Sequence, residues 1–260
     1  MSPLVATLFQ TLIATLVVML VLWLVCTLRR DVSLVDIYWG PGFLLIAGLA
    51  TWGRSSFGSR TSAMLVMVAI WGLRLALYLV WRKWGEGEDR RYRAMREHHG
   101  RRFWWVSLLT VFLLQGVLMW TISIPLQLIA VRDSGTFPNV IDGVGLCLWL
   151  TGFTFEVVGD GQLMRFQSKP DHRHRVMDRG VWRYTRHPNY FGEFLMWWGL
   201  WIVSLPVGGW WTIFSPLLMT GLLLKVSGVS LLESTIADRR PEYAEYQRRT
   251  SAFLPWPPRA

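Results

Sequence analysis

The hydrophobic residues of this chain fall in long, nearly unbroken runs, not in the short alternations that mark half-buried strands or amphipathic surface helices. A hydrocarbon core of about 30 Å needs roughly 20 apolar residues of α-helix. Runs of that kind predict seven helices, at 4–28, 34–53, 61–82, 103–130, 140–160, 190–207 and 210–233. The first is uncharged and lacks both a basic start and an A-x-A-like cleavage site, so the pattern predicts a retained helix and not a signal peptide. The sixth is short and rich in Gly and Trp; Pro206 ends it, and 206–209 predicts a hairpin into the seventh. The expected fold is all-α: a polytopic integral membrane protein of about seven transmembrane helices in a single domain, without internal repeats.

Charge adds orientation. Of 27 Lys and Arg, 22 follow odd-numbered helices: Arg29 and Arg30, eight in 82–102, seven in 161–189 and five in 234–260. The loops after even-numbered helices hold only Arg54, Arg60 and Arg132. By the positive-inside rule the N-terminus lies outside and the C-terminus in the cytosol. All five His fall in the expected cytosolic loops. Composition agrees: 52% of residues are hydrophobic, 17% are charged and 17 are Trp, which fits lipid-facing surfaces better than a soluble core. The net charge of +10 reads as attraction to anionic lipid or as a pocket for a phosphate-bearing ligand; nucleic acid is not an expected partner. Cys26 and Cys147 sit in apolar runs, and neither CxxC nor HExxH occurs, so no metal site is expected.

Seven charges fall inside the predicted helices: Asp36, Arg74, Glu156, Asp160, Glu193, Lys225 and Glu233, with Arg82 and Asp142 at helix mouths where water can reach them. A charge at mid-bilayer costs about 2.5–3.5 kcal/mol on insertion scales, so these groups must pair or line a wet cavity. Asp160, Glu193 and Glu233 sit near cytosolic ends and could share one polar cavity. Arg74 and Tyr78, four apart, share a helix face, and an Asp36–Arg74 ion pair would account for both charges.

The densest stretch is Asp178-Arg179-Gly180-Val181-Trp182-Arg183-Tyr184-Thr185-Arg186-His187-Pro188-Asn189-Tyr190-Phe191-Gly192-Glu193. It reads as a basic loop, a Pro in the first turn of a helix, and polar groups on one face, with Arg186 and His187 where a helix N-terminus favours an anion. This stretch resembles the RHPxY-like motif of a superfamily of membrane enzymes that includes steroid 5-alpha-reductases, sterol reductases, isoprenylcysteine carboxyl methyltransferases and phospholipid methyltransferases. The tail, with Leu232-Glu233, Arg239-Arg240-Pro241-Glu242-Tyr243-Ala244-Glu245-Tyr246 and Leu254-Pro255-Trp256, is similar to theirs. Over nearly its whole length, including Val35-Asp36-Ile37-Tyr38-Trp39-Gly40 and Gly87-Glu88-Asp89-Arg90-Arg91-Tyr92, the chain resembles the DUF1295 group of the steroid 5-alpha-reductase C-terminal-like family.

Asn189-Tyr190-Phe191-Gly192-Glu193 follows the reductase version of the motif, so the resemblance implies NADPH as cofactor. No GxGxxG is present to bind it in the Rossmann manner. The resemblance places Asn189, Tyr190 and Glu193 at the nicotinamide-ribose half, with Asp160 beside them; Arg179, Arg186 and His187 at phosphates; and Glu233, Arg240, Tyr243 and Tyr246 closing the pocket. Tyr184 and Arg74 belong to the same cofactor set. Glu88, Asp89 and Tyr92 are either its adenosine end or a solvated acidic–basic loop. The implied activity is reduction of an enone carbon–carbon double bond in a steroid-like or other lipid, with residues 1–139 forming the lipid slot and 140–260 the cofactor half, in a bacterial inner membrane. Two features depart from the steroid reductases: no Gln-Glu pair occurs, and Trp71 stands where their third-helix Tyr would be. Asp36, Tyr38 and then Tyr78 are the nearest substitutes as proton donor. An S-adenosylmethionine-dependent lipid or isoprenoid methyltransferase, or a small transporter, are the other readings.

Overall fold

The computed structural model describes every residue except Ser55, 134–135, 173–174, 227–241 and Ala260. The regular secondary structure of the described residues is all helical, and the only β-type pairing among them is an isolated bridge between Thr185 and Ser251. Two compact units are present: Met1–Phe137 with Val207–Gly209, and Pro138–Pro206 with Trp210–Ala260.

The first unit opens with α1 (Pro3–Arg29), started by Ser2, whose side chain accepts from Val5 N, with Pro3 in the first turn. It ends at Arg30 in the left-handed conformation. α2 (Leu34–Thr51) and α3 (Ser59–Lys83) follow. They meet backbone to backbone at Gly40 and Gly72, where a Cβ on Gly72 would lie 2.7 Å from the Gly40 carbonyl oxygen. α4 (Arg90–His99) turns through Gly100–Arg102 into α5 (Phe103–Ser107), a π-helical stretch at Leu108–Leu113 and α6 (Leu114–Ile122). α7 (Ile124–Arg132) closes the unit.

The fourth predicted span, 103–130, is interrupted at Ser123. Pro125 lacks the N–H that would continue the ladder, so it opens a new helix. The loop expected at 82–102 contains α4, a helix without an apolar stripe: its pattern is charged nearly all round, which hides it from a hydrophobicity reading.

Several buried polar groups stitch this unit. Thr11 Oγ1 donates to Gln127 Oε1 at 2.6 Å, and Trp120 Nε1 donates to the Leu8 carbonyl at 3.0 Å. Arg60, expected in a loop, is 1% exposed and pairs with Asp133 at 3.2 Å. Asp133 also caps α3 by accepting from Thr61 N at 2.9 Å. Phe9, Ile13, Val17, Val21, Leu24 and Leu28 are exposed along one stripe of α1, a surface suited to lipid and not to water.

In the second unit α8 (Val140–Gln167) lies against α9 (Pro188–Ser204). A capping box starts α8: Asp142 N donates to Asn139 Oδ1 at 2.9 Å, and Asn139 N donates to Asp142 Oδ2 at 3.0 Å. Asp142 is therefore not a water-facing group at a helix mouth; it is 0% exposed and bound to backbone. α8 runs two turns past its predicted end at 160, which puts Asp160 inside the helix. After α9, a 3-10 turn at Leu205–Val207 surrounds Pro206. A second one at Gly209–Ile213 leads to α10 (Phe214–Gly221) and a π-helical turn at Leu222–Val226. The final helix is α11 (Tyr243–Arg249). Among the described residues, five helical stretches are long and apolar enough to cross a membrane: α1, α2, α3, Arg90–Ile122 and α8.

The antiparallel α8–α9 crossing is made by glycines seven apart. Gly145 meets Gly199, Gly152 meets Gly192, and Gly159 meets Pro188. A Cβ on Gly199 would lie 2.6 Å from the Gly145 carbonyl oxygen, and one on Gly152 would lie 2.8 Å from Met196 N. Backbone cannot yield as a side chain can, so a side chain there must drive the helices apart. Gly152→Val should destabilise the protein by about 1–3 kcal/mol, the usual range for overpacking, read as a lower thermal midpoint in detergent. Gly161, on the same helix, has open space beyond its Cα. Gly161→Ala should leave the midpoint unchanged or raise it slightly, since Ala is the better helix former.

Candidate functional site

The glycine crossing brings the polar residues of α8 and α9 together. Glu156 and Asp160 are four apart on α8 and share a face; both are 3% exposed. Gly192 presses on Glu156, whose Cβ would lie 3.0 Å from a Cβ at 192. One turn on, Asn189 Nδ2 donates to Asp160 Oδ1 at 3.3 Å. His187 caps the start of α9 with its ring stacked on Tyr190, centroids 5.6 Å apart, while Glu193 lies half-buried one turn further along. The result is two buried carboxylates and an amide at the start of a helix, in a unit whose remaining charge is mainly basic.

At the far end of α8, Gln162, Arg165, Lys169 and Arg179 line a cavity of about 520 Å³ with Phe166, His172 and Met177. The loop carrying Arg179 is held to α8 by Val181 N, which donates to Gln162 Oε1 at 3.1 Å. Gly180 has φ +61°, and a Cβ there would strike the Gln162 amide, so the turn needs glycine on both counts. Trp182 Nε1 donates to the Gly159 carbonyl at 3.0 Å, and Tyr246 donates its hydroxyl hydrogen to the Trp182 carbonyl. Burial pushes the Tyr246 phenol pKa up, in keeping with a neutral hydrogen-bond donor. Tyr243, equally buried, packs its ring 5.8 Å from Tyr246. Tyr246 thus ties α11 to the loop and, through Trp182, to α8.

Arg186 turns toward the tail. Its Nη1 donates to the Gln247 and Thr250 carbonyls at 2.9 and 2.6 Å, capping the end of α11. Tyr184 is exposed, and its carbonyl accepts from Trp256 N at 2.9 Å. Glu233 and Arg240 lie outside the described residues.

The first unit has its own polar cluster. Asp36, in the first turn of α2, accepts from Tyr92 Oη at 2.7 Å and pairs with Arg91 at 3.0 Å. Gln115 Nε2 donates to the same Tyr92 oxygen at 3.3 Å. The counter-ion found on Asp36 is therefore Arg91, contributed by α4. Arg74 instead lies over the ring of Tyr78 at 5.9 Å, with Arg82 over it at 5.8 Å. Tyr38 is half-buried on α2, beside Gly42.

Glu88 and Asp89 work as a clasp. Both Glu88 oxygens are taken by Arg96, at 2.7 and 2.9 Å, and Val32 N donates to one of them at 2.9 Å. Ser33 Oγ bonds Asp31 at 2.6 Å, receives Asp89 N at 3.2 Å and contacts Lys83, which pairs with Asp31 at 2.8 Å. The hydropathy pattern places Arg165, Lys169 and His172 in a loop and gives Gln115 no role. The extension of α8 brings the first three to one cavity and α6 brings Gln115 to Tyr92, and no spacing rule exposes either.

The family described as "Protein of unknown function (DUF1295)" matches residues 22–250, and the chain belongs to that family. No curated protein and no solved structure matches the chain.

Burial would raise the carboxyl pKa values of Asp31, Glu88 and Asp89, but hydrogen bonds outweigh it and hold all three below the usual range: from Lys83 and Ser33 for Asp31, from Arg96 and Val32 for Glu88, and from Arg91 for Asp89. A carboxyl depressed in the folded state contributes stability that is fully present above its unfolded pKa. That contribution is lost as pH falls through the folded value. Hydrogen-exchange protection factors in 84–89, taken relative to the intrinsic rate at each pH, should therefore be largest at neutral pH and fall as the pH drops below about 4, where free carboxyls protonate. Glu88→Gln should lower part of that protection already at neutral pH.

Proposed function

We propose, taking membership of the DUF1295 family as the premise, that the protein is a multi-pass membrane enzyme that reduces a carbon–carbon double bond of an enone in a steroid-like or other lipid, using NADPH. The observation that carries this reading is the Asn189–Asp160 pair at the α8–α9 crossing. It provides a buried acceptor and an amide at a helix start, with a basic cavity at the end of the same α8. This donor set fits a dinucleotide: a carboxylate suits ribose hydroxyls, an amide suits a carboxamide, and Arg165, Lys169 and Arg179 suit phosphates. A sulfonium is itself a cation and fits a basic lining less well.

When bound, NADPH supplies hydride to the β-carbon of the enone. Asp160 would bind ribose hydroxyls; Asn189, Tyr190 and Glu193 would orient the nicotinamide half; Arg179 with His187 would attract phosphate charge, Arg186 being committed to the Gln247 and Thr250 carbonyls. By the same resemblance Tyr184, Tyr243 and Tyr246 would complete the cofactor set, with Glu233 and Arg240 as further members outside the described residues. As hydride arrives, negative charge grows on the substrate carbonyl oxygen, and a hydrogen-bond donor shielded from water must meet it. By the resemblance, Asp36, Tyr38 and Tyr78 are the candidates for that donor. To these the geometry adds Tyr92, whose hydroxyl is buried between the Asp36 carboxylate and the Gln115 amide. Arg91 balances the Asp36 charge, and the Tyr92 hydroxyl hydrogen is directed at that carboxylate.

The full topology belongs to the same reading: seven spans in a bacterial inner membrane, with the N-terminus outside and the C-terminus in the cytosol. It is supported by the five apolar helices and the placement of the basic loops.

Radiolabelled NADPH should bind the purified protein and S-adenosylmethionine should not; the reverse outcome would make it a lipid methyltransferase. Asn189→Ala and Glu193→Ala should each weaken NADPH binding more than about tenfold, or about 1.4 kcal/mol. Unchanged affinity in both removes the site. Tyr92→Phe should keep NADPH affinity while lowering turnover on the order of a hundredfold, the lower end of what a positioned general acid contributes.

A further inference from the structure

The tail forms a second arginine-rich cavity. Arg186, Arg248, Arg249 and Arg259 line a space of about 250 Å³ together with Gln247, Thr250, Ser251, Ala252, Trp256 and Pro257. No acidic residue is in that lining.

The walls are built rather than draped. Arg186 N donates to the Ser251 carbonyl, Trp256 N to the Tyr184 carbonyl, and Arg259 N to the Arg249 carbonyl, each at 2.9 Å. Thr185, fully buried, donates its hydroxyl to the Phe253 carbonyl at 2.8 Å. Phe253 in turn packs its ring on Phe191 and Phe194 of α9. The extended tail is therefore fixed along 184–186 on one side and the end of α11 on the other.

Structural duties account for only part of the charge. The end of α11 favours cations, and Arg186 supplies one by capping the Gln247 and Thr250 carbonyls. Arg249 pairs with Asp178. Arg248 and Arg259 are exposed, and neither meets a carboxylate among the described residues. Two guanidinium groups in excess, at the mouth of a walled cavity, make a potential that draws an anion with several acceptor oxygens. Guanidinium forks match phosphate oxygens in geometry as well as charge.

We propose that this cavity binds a phosphate group, gripped by Arg248 and Arg259 with Arg249 and Arg186 behind them. Two sources carry that chemistry: the headgroup of an anionic phospholipid, which the exposed Leu254 and Trp256 beside the cavity would meet at a membrane surface, or a soluble phosphate compound. The site is separate from the α8–α9 crossing and stands whether or not the reductase reading does.

The test uses the full chain and the variant Arg248→Gln/Arg259→Gln, which leaves the Arg186 cap and the Arg249–Asp178 pair in place. One arm replaces chloride with inorganic phosphate at matched ionic strength in detergent. The other compares nanodiscs of phosphatidylcholine with nanodiscs that also contain phosphatidylglycerol. Thermal midpoints are read throughout. Phosphate stabilises any fold by exclusion from its surface, so the quantity that matters is wild type minus variant. The wild type should show an added, saturable rise that the variant lacks or reaches only at about tenfold higher ligand. A rise confined to the phosphate arm identifies a soluble source; a rise with phosphatidylglycerol identifies a lipid headgroup. Equal shifts in wild type and variant in both arms overturn the site. Should the double variant not fold, Arg259→Gln alone is read in the same way, with a partial loss expected.

Discussion

The second unit depends on one contact, the approach of α8 and α9 to backbone distance. Helices with ordinary side chains sit 8–10 Å apart, but Gly145, Gly152 and Gly159 against Gly199, Gly192 and Pro188 remove the side chains from the seam. In lipid there is no hydrophobic force to press two helices together, so close van der Waals contact must do that work. The same seam sets the chemistry. Gly192 leaves room for Glu156 and Gly159 for Pro188, and only at that distance does the Asn189 amide reach Asp160. Wider spacing would leave the Asp160 carboxylate buried without the amide that makes its burial tolerable.

Buried charge follows the same logic throughout the protein. A carboxylate at membrane depth needs either a cation or several hydrogen bonds. Asp142 is satisfied by a capping box, Asp133 by Arg60 and the start of α3, and Asp36 by Arg91 and Tyr92. In each case the partner does a second job, starting a helix or joining two. Removing one partner of the Arg60–Asp133 pair would strand the other, which typically costs about 3–5 kcal/mol.

Arginines divide by the same accounting. Arg96 holds Glu88 in a two-bond fork, and Arg186 caps α11. Those of the two cavities, one at the end of α8 and one in the tail, are grouped without acidic residues in the lining. Where positive lining exceeds what structural bonds account for, as at Arg248 and Arg259, ligand chemistry enters.

Much of this was legible in the sequence, because a bilayer sets a length and a polarity that a run of residues either meets or does not. The apolar stretches placed α1, α2, α3, α8 and α9 to within a few residues, except that α8 continues to Gln167 through polar residues that a hydropathy pattern reads as loop. The Asn189 to Glu193 motif, the tail and the family were legible too, because they are local strings. α4 was not: a helix charged nearly all round, with Tyr92, Ala94 and Met95 its few apolar residues, leaves too short an apolar period to detect. Nor was the partner of Asp36. Arg74 stood as a candidate because it lies on a neighbouring predicted helix, whereas Arg91 and Tyr92 come from α4, whose position depends on the clasp of Glu88, Asp89 and Ser33. Sequence determines which segments are helical and apolar, since those are properties of consecutive residues. Only the tertiary structure decides which carboxylate meets which donor, since that depends on how closely two backbones approach and on how each helix is turned about its axis.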